Sequence, residues 1–315
     1  MSDAATRLIG PIISTGKLES QRQLLGKVFG LQCLPEQLLD AATVEALWNV
    51  QARSARLQLC LTPGTWSGVM LLQFDPVPSK VIRERSRGDD HDALKVIDFY
   101  TTDFDRAIAT LAAAGYRVKD TIAEYDMSEG HFREAHLWAE DQVVYALIEG
   151  PPAFMAEVVQ ISDRPFSEVM SVSTPVSRRD EVQRFYADVL QLDEVYRYGF
   201  DDPSFAELVG GEQNMQLTAV NVGTHLREPF FGLIHYGQRS AGARSLADQS
   251  QLPDRGIAAA LVEVTDLEDC LARVEHWPGA LIRASSPLEL PALGSVSSAL
   301  LRAPHGVLHQ VIQRR

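Results

Sequence analysis

The sequence predicts an α+β fold in which a unit of strand, polar turn, amphipathic helix and further strands recurs four times, arranged as a tandem of two similar domains. Three observations carry this. The 315 residues suit two domains of roughly 150 each. Four short alternating strands are each followed by a polar turn and then by apolar residues at helical spacing. The turns at Gly16 and Val176 lie 160 positions apart and those at Asp103 and Asp266 lie 163 apart, so the first pair of units repeats as the second pair.

Taken in order, the first unit opens with a strand from Leu8 to Ser14, turns through Thr15-Gly16-Lys17, and places Leu18, Leu24, Leu25, Val28 and Phe29 on one helical face before Gly30. Strands follow over 56–61 and 69–74. The second unit has a strand from Val96 to Tyr100, caps at Thr102 and Asp103, a helix carrying Phe104, Ile108 and Leu111, a stop at Gly115, and a strand over 143–148. In the third unit a strand over 168–173 leads to a capping box of Ser177 and Asp180 and a helix carrying Val182, Phe185, Tyr186, Val189 and Leu190. Strands are expected over 215–220 and 230–236. The fourth runs from 258 to 264, caps at Asp266, carries Leu267, Leu271 and Val274, and ends in strands over 298–302 and 307–312. The charged segment 80–92, with its basic stretch Arg83 to Arg87, and the segment 238–256 are expected to be exposed connections. Gly150 to Arg164, with Pro151 and Pro152, marks the domain junction.

Composition narrows the function classes. Forty-two acidic against 29 basic residues give a formal charge of −13, which repels phosphate backbones and anionic membranes. Nucleic acid and membrane are therefore excluded as expected partners, which leaves small molecules, with exposed sheet edges allowing a homo-oligomer. Cys33, Cys60 and Cys270 show no CxxC spacing and read as reduced core residues. The N-terminal stretch has neither signal-peptide pattern nor membrane span, which predicts a cytoplasmic protein. Phosphate-loop, dinucleotide, serine-hydrolase and zinc-protease motifs are all missing.

The paired units, the turn Thr102-Asp103-Phe104-Asp105, the helix end Phe185-Tyr186-Ala187-Asp188-Val189-Leu190 and the closing Pro304-His305-Gly306 give a chain that resembles the vicinal oxygen chelate superfamily. That group includes glyoxalase I, extradiol dioxygenases, methylmalonyl-CoA epimerase, and fosfomycin and bleomycin resistance proteins. The resemblance implies paired βαβββ units with curved mixed sheets around cavities. It divides the chain into a first domain over 1–155 (units about 7–78 and 93–150) and a second over 160–315 (units about 165–237 and 256–313).

It also implies a divalent metal held by His, Glu or Gln on the first and last strands of paired units, open to a substrate with two adjacent oxygens. The corresponding positions here read Gly10, Val96 and Ala146 in the first half and Ser167, Ala259, Gly232 and Gln310 in the second. Only Gln310 could contribute, so no metal or other cofactor is evident. A slip of one residue would bring in His235 or His309 and restore a candidate site for Fe, Mn, Zn or Ni.

Without a metal, chemistry falls to acid–base groups. Asp98 and Tyr100 share a strand face with Val96, Glu263 shares one with Ala259, and His235 ends an apolar strand. These four are the catalytic candidates, with Ser167, Gln310, His136 and Tyr196 as substrate-binding residues. His131 and His136 fall on opposite strand faces, so they do not form a metal pair. The expected function is lyase, isomerase or ring-opening chemistry on an aromatic or polyketide-like molecule. The alternative is metal-free sequestration of a small molecule, as in bleomycin resistance proteins. In a third arrangement one domain only supports the other, which would leave two cavities of very unequal size.

Overall fold

A computed structural model describes residues 6–85, 87–237, 242–290 and 293–315. Unit one comprises β1 (Thr6–Ser14), α1 (Leu18–Gln23) continued by a π turn, β2 (Gln32–Cys33), β3 (Gln37–Asp40), α2 (Ala41–Trp48), β4 (Ser54–Leu61) and β5 (Gly68–Asp75). Unit two comprises β6 (Val96–Tyr100), α3 (Phe104–Ala113), β7 (Ala123–Met127), β8 (Gly130–Trp138) and β9 (Val144–Glu149), and is followed by α4 (Pro152–Val158). Unit three contains β10 (Ser171–Pro175), α5 (Arg179–Leu190), β11 (Asp193–Phe200), α6 (Pro203–Val209), β12 (Leu217–Gly223) and β13 (Phe230–Tyr236). Unit four contains β14 (Gly256–Val264), α7 (Leu267–Val274), β15 (Leu281–Leu290), β16 (Gly294–Arg302) and β17 (Leu308–Arg314).

The four units and the α+β class are as the sequence predicts, but their partnership is different. Among the described residues, one sheet runs β15-β16-β17-β14-β1-β5-β4-β2 with β3 also on β4, and the other runs β11-β12-β13-β10-β6-β9-β8-β7. Unit one therefore shares a sheet with unit four, and unit two with unit three. The expectation that residues 1–155 and 160–315 each close their own sheet is corrected by two antiparallel seams, β1 on β14 and β6 on β10. The helical faces of both sheets meet in a single apolar core, which takes Leu24 and Phe29 from unit one, Phe99 and Tyr145 from unit two, Phe185 and Phe231 from unit three, and Val262 and Leu267 from unit four. At roughly 25 cal/mol per Å² of apolar surface, this shared core holds the two halves together.

Local chemistry explains most helix starts. Asp103 and Asp266 accept hydrogen bonds from the amides of Arg106 and Asp269, as capping residues do. The expected cap at Ser177 fails, because its amide and hydroxyl both donate to Asp92 in the connector, and α5 starts two residues later. The connectors are not the exposed loops their charge suggests. Val81 bridges to Arg255 and His91 to Ser245, packing the two segments against each other. Within them Arg83 is buried and donates to the carbonyls of Asp90, Ala93 and Leu94, which satisfies a guanidinium that lacks water. Residues 238–241 of the second connector lie outside the described residues. Cys33 and Cys60, expected to be reduced, face each other across β2 and β4 and form a disulfide. Among the described residues no helix is long and apolar enough to cross a membrane.

Candidate active site

The concave faces of the two sheets differ. In the sheet of units one and four, Val44, Leu47 and Trp48 of α2 join Ile12, Leu57, Leu72 and Leu261 in one buried apolar cluster. In the sheet of units two and three the edge strands curl toward each other until Tyr125 of β7 stacks on Phe200 of β11, ring centroids 4.1 Å apart and 10° from parallel. The barrel so formed holds a cavity of about 90 Å³.

One side of the cavity is apolar and aromatic, formed by Phe132, Tyr196, Tyr198, Phe200 and Phe230 from the strands, Phe154 from α4 and Phe205 from α6. The other side is polar and is set by strand alternation. On β6, Val96 and Asp98 face inward, with Lys95 just ahead of them; on β10 the inward residues are Ser171 and Ser173; on β8 they are Phe132, Glu134 and His136; Asn221 and Tyr236 complete it from β12 and β13. Ser171, Asp98, Ala146 and His136 lie in register across four strands, so the small side chain of Ala146 separates Asp98 from His136.

Hydrogen bonds fix this end. Both serine hydroxyls donate to one oxygen of Asp98, Oδ2, that of Ser173 at 2.7 Å. Among the described residues no group donates to Oδ1, which is left for the cavity. Burial, reinforced by the charge of Glu134, pushes the Asp98 carboxyl up to about 7. Glu134 accepts from Tyr125 Oη at 3.0 Å and pairs with His136 Nε2 at 2.8 Å. Burial lowers the affinity of His136 for a second proton, which favours a neutral imidazole that donates its Nε2–H to Glu134. Lys95 is 2% exposed, and its Nζ donates to Tyr236 Oη at 3.3 Å. Desolvation, helped by the nearby Arg83 guanidinium, brings its ammonium down to about 7.

Of the eight residues singled out from sequence, Asp98, His136 and Tyr196 line this cavity. Tyr196 is hydrogen-bonded to Glu129 of the β7–β8 turn, and burial first, with that bond second, raises its phenol. The other five do other work. Tyr100 is buried in the apolar cluster that also holds Tyr125, Phe132 and Phe230, without itself lining the cavity. Ser167 ties its loop down by accepting from the Tyr100 amide and donating to the Glu168 carbonyl. His235 alternates with the lining residues Ile234 and Tyr236 and so faces away. Glu263 belongs to the other sheet and pairs with Arg314 at 3.0 Å. Gln310 is buried in the sheet of units one and four, on the same strand face as Leu308 and Ile312. His309 points into the shared core, where it meets Tyr186 Oη at 2.9 Å.

Sequence reading missed Lys95, Ser171, Ser173, Tyr125, Asn221 and Tyr236. Two signals were present: a lysine inside the apolar run Ala93-Leu94-Lys95-Val96-Ile97, and serines alternating at 171 and 173. The second was lost because β10 starts three residues later than expected, at Ser171.

The fold places Val96, Ala146 and Gly232 in the central strands of the cavity sheet, and Gly10, Ala259 and Gln310 in those of the other sheet. A Cβ at Gly232 would lie 2.6 Å from Ser173 Oγ, and Val96 and Ala146 carry no donor. Among the described residues no three of His, Cys, Asp and Glu converge. This donor set does not fit a chelated divalent metal.

No protein-family model matches the sequence, and no curated protein matches it. Among solved structures, glyoxalase I from Zea mays is similar with a TM-score of 0.65 and 14% identity, over 98% of this chain and 92% of that one. A putative dioxygenase from Bacillus subtilis is similar with a TM-score of 0.55 and 9% identity, over 98% and 86%. Identity this low speaks for architecture, and chemistry has to be argued from the side chains. By its paired βαβββ units and its likeness to glyoxalase I over nearly the whole chain, this protein has the vicinal oxygen chelate fold.

Proposed function

We propose that the protein is a metal-independent enzyme of the isomerase or lyase kind, moving a proton on a small aromatic or polyketide-like carbonyl compound held in the cavity of units two and three. The observation that carries this reading is Asp98: a buried carboxylate with one oxygen anchored by two serines and the other turned to an aromatic-walled cavity. A pocket for passive sequestration gains nothing from an ionisable carboxylate and ammonium, since each costs several kcal/mol to desolvate. Both titrate near neutral pH, where a general base or acid is most effective.

In this reading Asp98 Oδ1 takes a proton from the carbon next to the carbonyl. The C–H electron pair forms a carbon–carbon double bond and charge moves onto the carbonyl oxygen, which the Lys95–Tyr236 pair stabilises by hydrogen bonding. Return of the proton to another carbon completes an isomerisation, and departure of a group from the next carbon completes an elimination. Aromatic residues on β11, α4 and α6 hold the apolar body of the substrate and exclude water.

The test is a panel of aromatic ketones and hydroxyaldehydes followed for proton exchange in deuterated water by NMR. Exchange or turnover is expected to fall about 100- to 10,000-fold in Asp98→Asn while affinity changes only a few-fold. Binding without any exchange in the parent protein would instead favour sequestration.

A further inference from the structure

The chain has five lysines, Lys17, Lys27, Lys80, Lys95 and Lys119, all in its first half. Lys17, Lys27 and Lys80 are exposed, and Lys119 is half-buried with its Nζ on the carbonyl of Leu208 at 2.8 Å. Only Lys95 is buried, and its stem enters the cavity ahead of β6. No carboxylate lies within ion-pairing distance of it among the described residues, and Tyr236 Oη is its one hydrogen-bond partner there. Its ammonium also lies 5.6 Å from the Tyr236 ring centroid. A lysine held only for structure would be paired or would extend its head to water. This one is presented, dry, to whatever enters the cavity.

We propose that Lys95 is a nucleophile that forms an imine with ligands in this cavity, an inference that rests on the reading above and narrows its carbonyl substrates to aldehydes and ketones. The Nζ lone pair adds to the carbonyl carbon as the C=O π pair moves onto oxygen, and one proton of the resulting cationic nitrogen passes to that oxygen to give a neutral carbinolamine. That hydroxyl leaves as water with the proton of the neutral Asp98 carboxyl, and the nitrogen pair forms the C=N bond. Water reverses these steps to release product, so no oxidant or reductant is required. The iminium nitrogen is a stronger electron sink than a carbonyl oxygen, and it acidifies the adjacent C–H for the ionised Asp98 carboxylate that this step leaves behind. Because burial brings Lys95 down to about 7, about half of it is neutral amine at pH 7, on the order of a thousandfold more than for an ordinary lysine.

The experiment uses benzaldehyde with sodium cyanoborohydride at pH 7, and peptide mapping by mass spectrometry to score benzylation at each of the five lysines. Benzyl alcohol, which has the ring without the carbonyl, serves as the binding control through the fluorescence of the cavity tyrosines. Benzylation at Lys95 is expected to exceed that at each of the other four by at least about tenfold and to be suppressed by excess benzyl alcohol. Lys95→Arg and Lys95→Met should lose it while leaving surface labelling unchanged, although the parent map decides the matter without them. Benzyl alcohol bound in the cavity with benzylation confined to the other lysines would overturn the imine and leave the acid–base reading of Asp98 standing. Failure of either compound to enter the cavity would overturn both.

Discussion

Asp98 and Lys95 respond to pH in opposite senses. An unfolded aspartate ionises near 3.9, so between about 4 and 7 the folded chain holds a proton that the unfolded chain has lost, and stability falls as pH rises through that window. From about 7 to 10.5 the unfolded chain holds a proton on Lys95 that the folded chain lacks, so stability rises with pH. Urea unfolding across pH 4–10 is expected to show both slopes. Asp98→Asn should remove the first and be about 1–3 kcal/mol more stable than the parent at pH 8, the gain fading near pH 4; Lys95→Met should remove the second. An unchanged profile in Asp98→Asn would mean that the carboxyl titrates normally. At this scale Asp98 was legible because strand alternation names a face, and His136 for the same reason. His235 and Glu263 were misread because alternation does not say which end of a strand reaches a cavity, or which sheet it joins. Lys95 lay outside the predicted strand, and desolvation of a lysine has no signature in local sequence.

The helices inserted in units one and three sit differently on their sheets. α2 lies flat on its sheet with Trp48 against Phe74, ring centroids 5.8 Å apart, whereas α6 stands at the cavity rim with Phe205 and Val209 turned inward. Trp48→Ala is expected to lower stability by about 3–5 kcal/mol and leave ligand affinity in the other sheet unchanged. Phe154→Ala, at the rim on half-buried α4, should weaken aromatic ligands about tenfold with a smaller loss of stability. Denaturant titration and ligand titration of both variants separate these outcomes. α4 and α6 both begin with proline at the first helical position, where its missing N–H costs nothing. That signal is ambiguous in sequence, since Pro151-Pro152 marks a linker equally well, and here it starts a helix that closes the site. The long helices and the first strand of every unit were legible because their apolar spacing extends over enough residues. β2, β3 and α2 were not, being short and set within one loop-like stretch.

The repeat of the two halves was readable from spacing, whereas the partnership of the units was not, because spacing is the same whichever pairs share a sheet. Strand seams decide it, and those depend on contacts such as Ile12 with Ala259 that no local pattern encodes. Residues 1–155 and 160–315, produced separately, are expected to remain unfolded by circular dichroism and to recover native spectra only when mixed or co-expressed. Two independently folded halves would contradict the shared core. The crossed pairing also bears on how the protein is made. Ile12 must wait for a partner that leaves the ribosome 247 positions later, which at 5–20 residues per second is about 10–50 s. Throughout that interval the apolar first strand can pair with β5 alone and its other edge stays open, while units two and three can already zip together, so the barrel that bears the cavity is expected to be finished before the sheet that braces it.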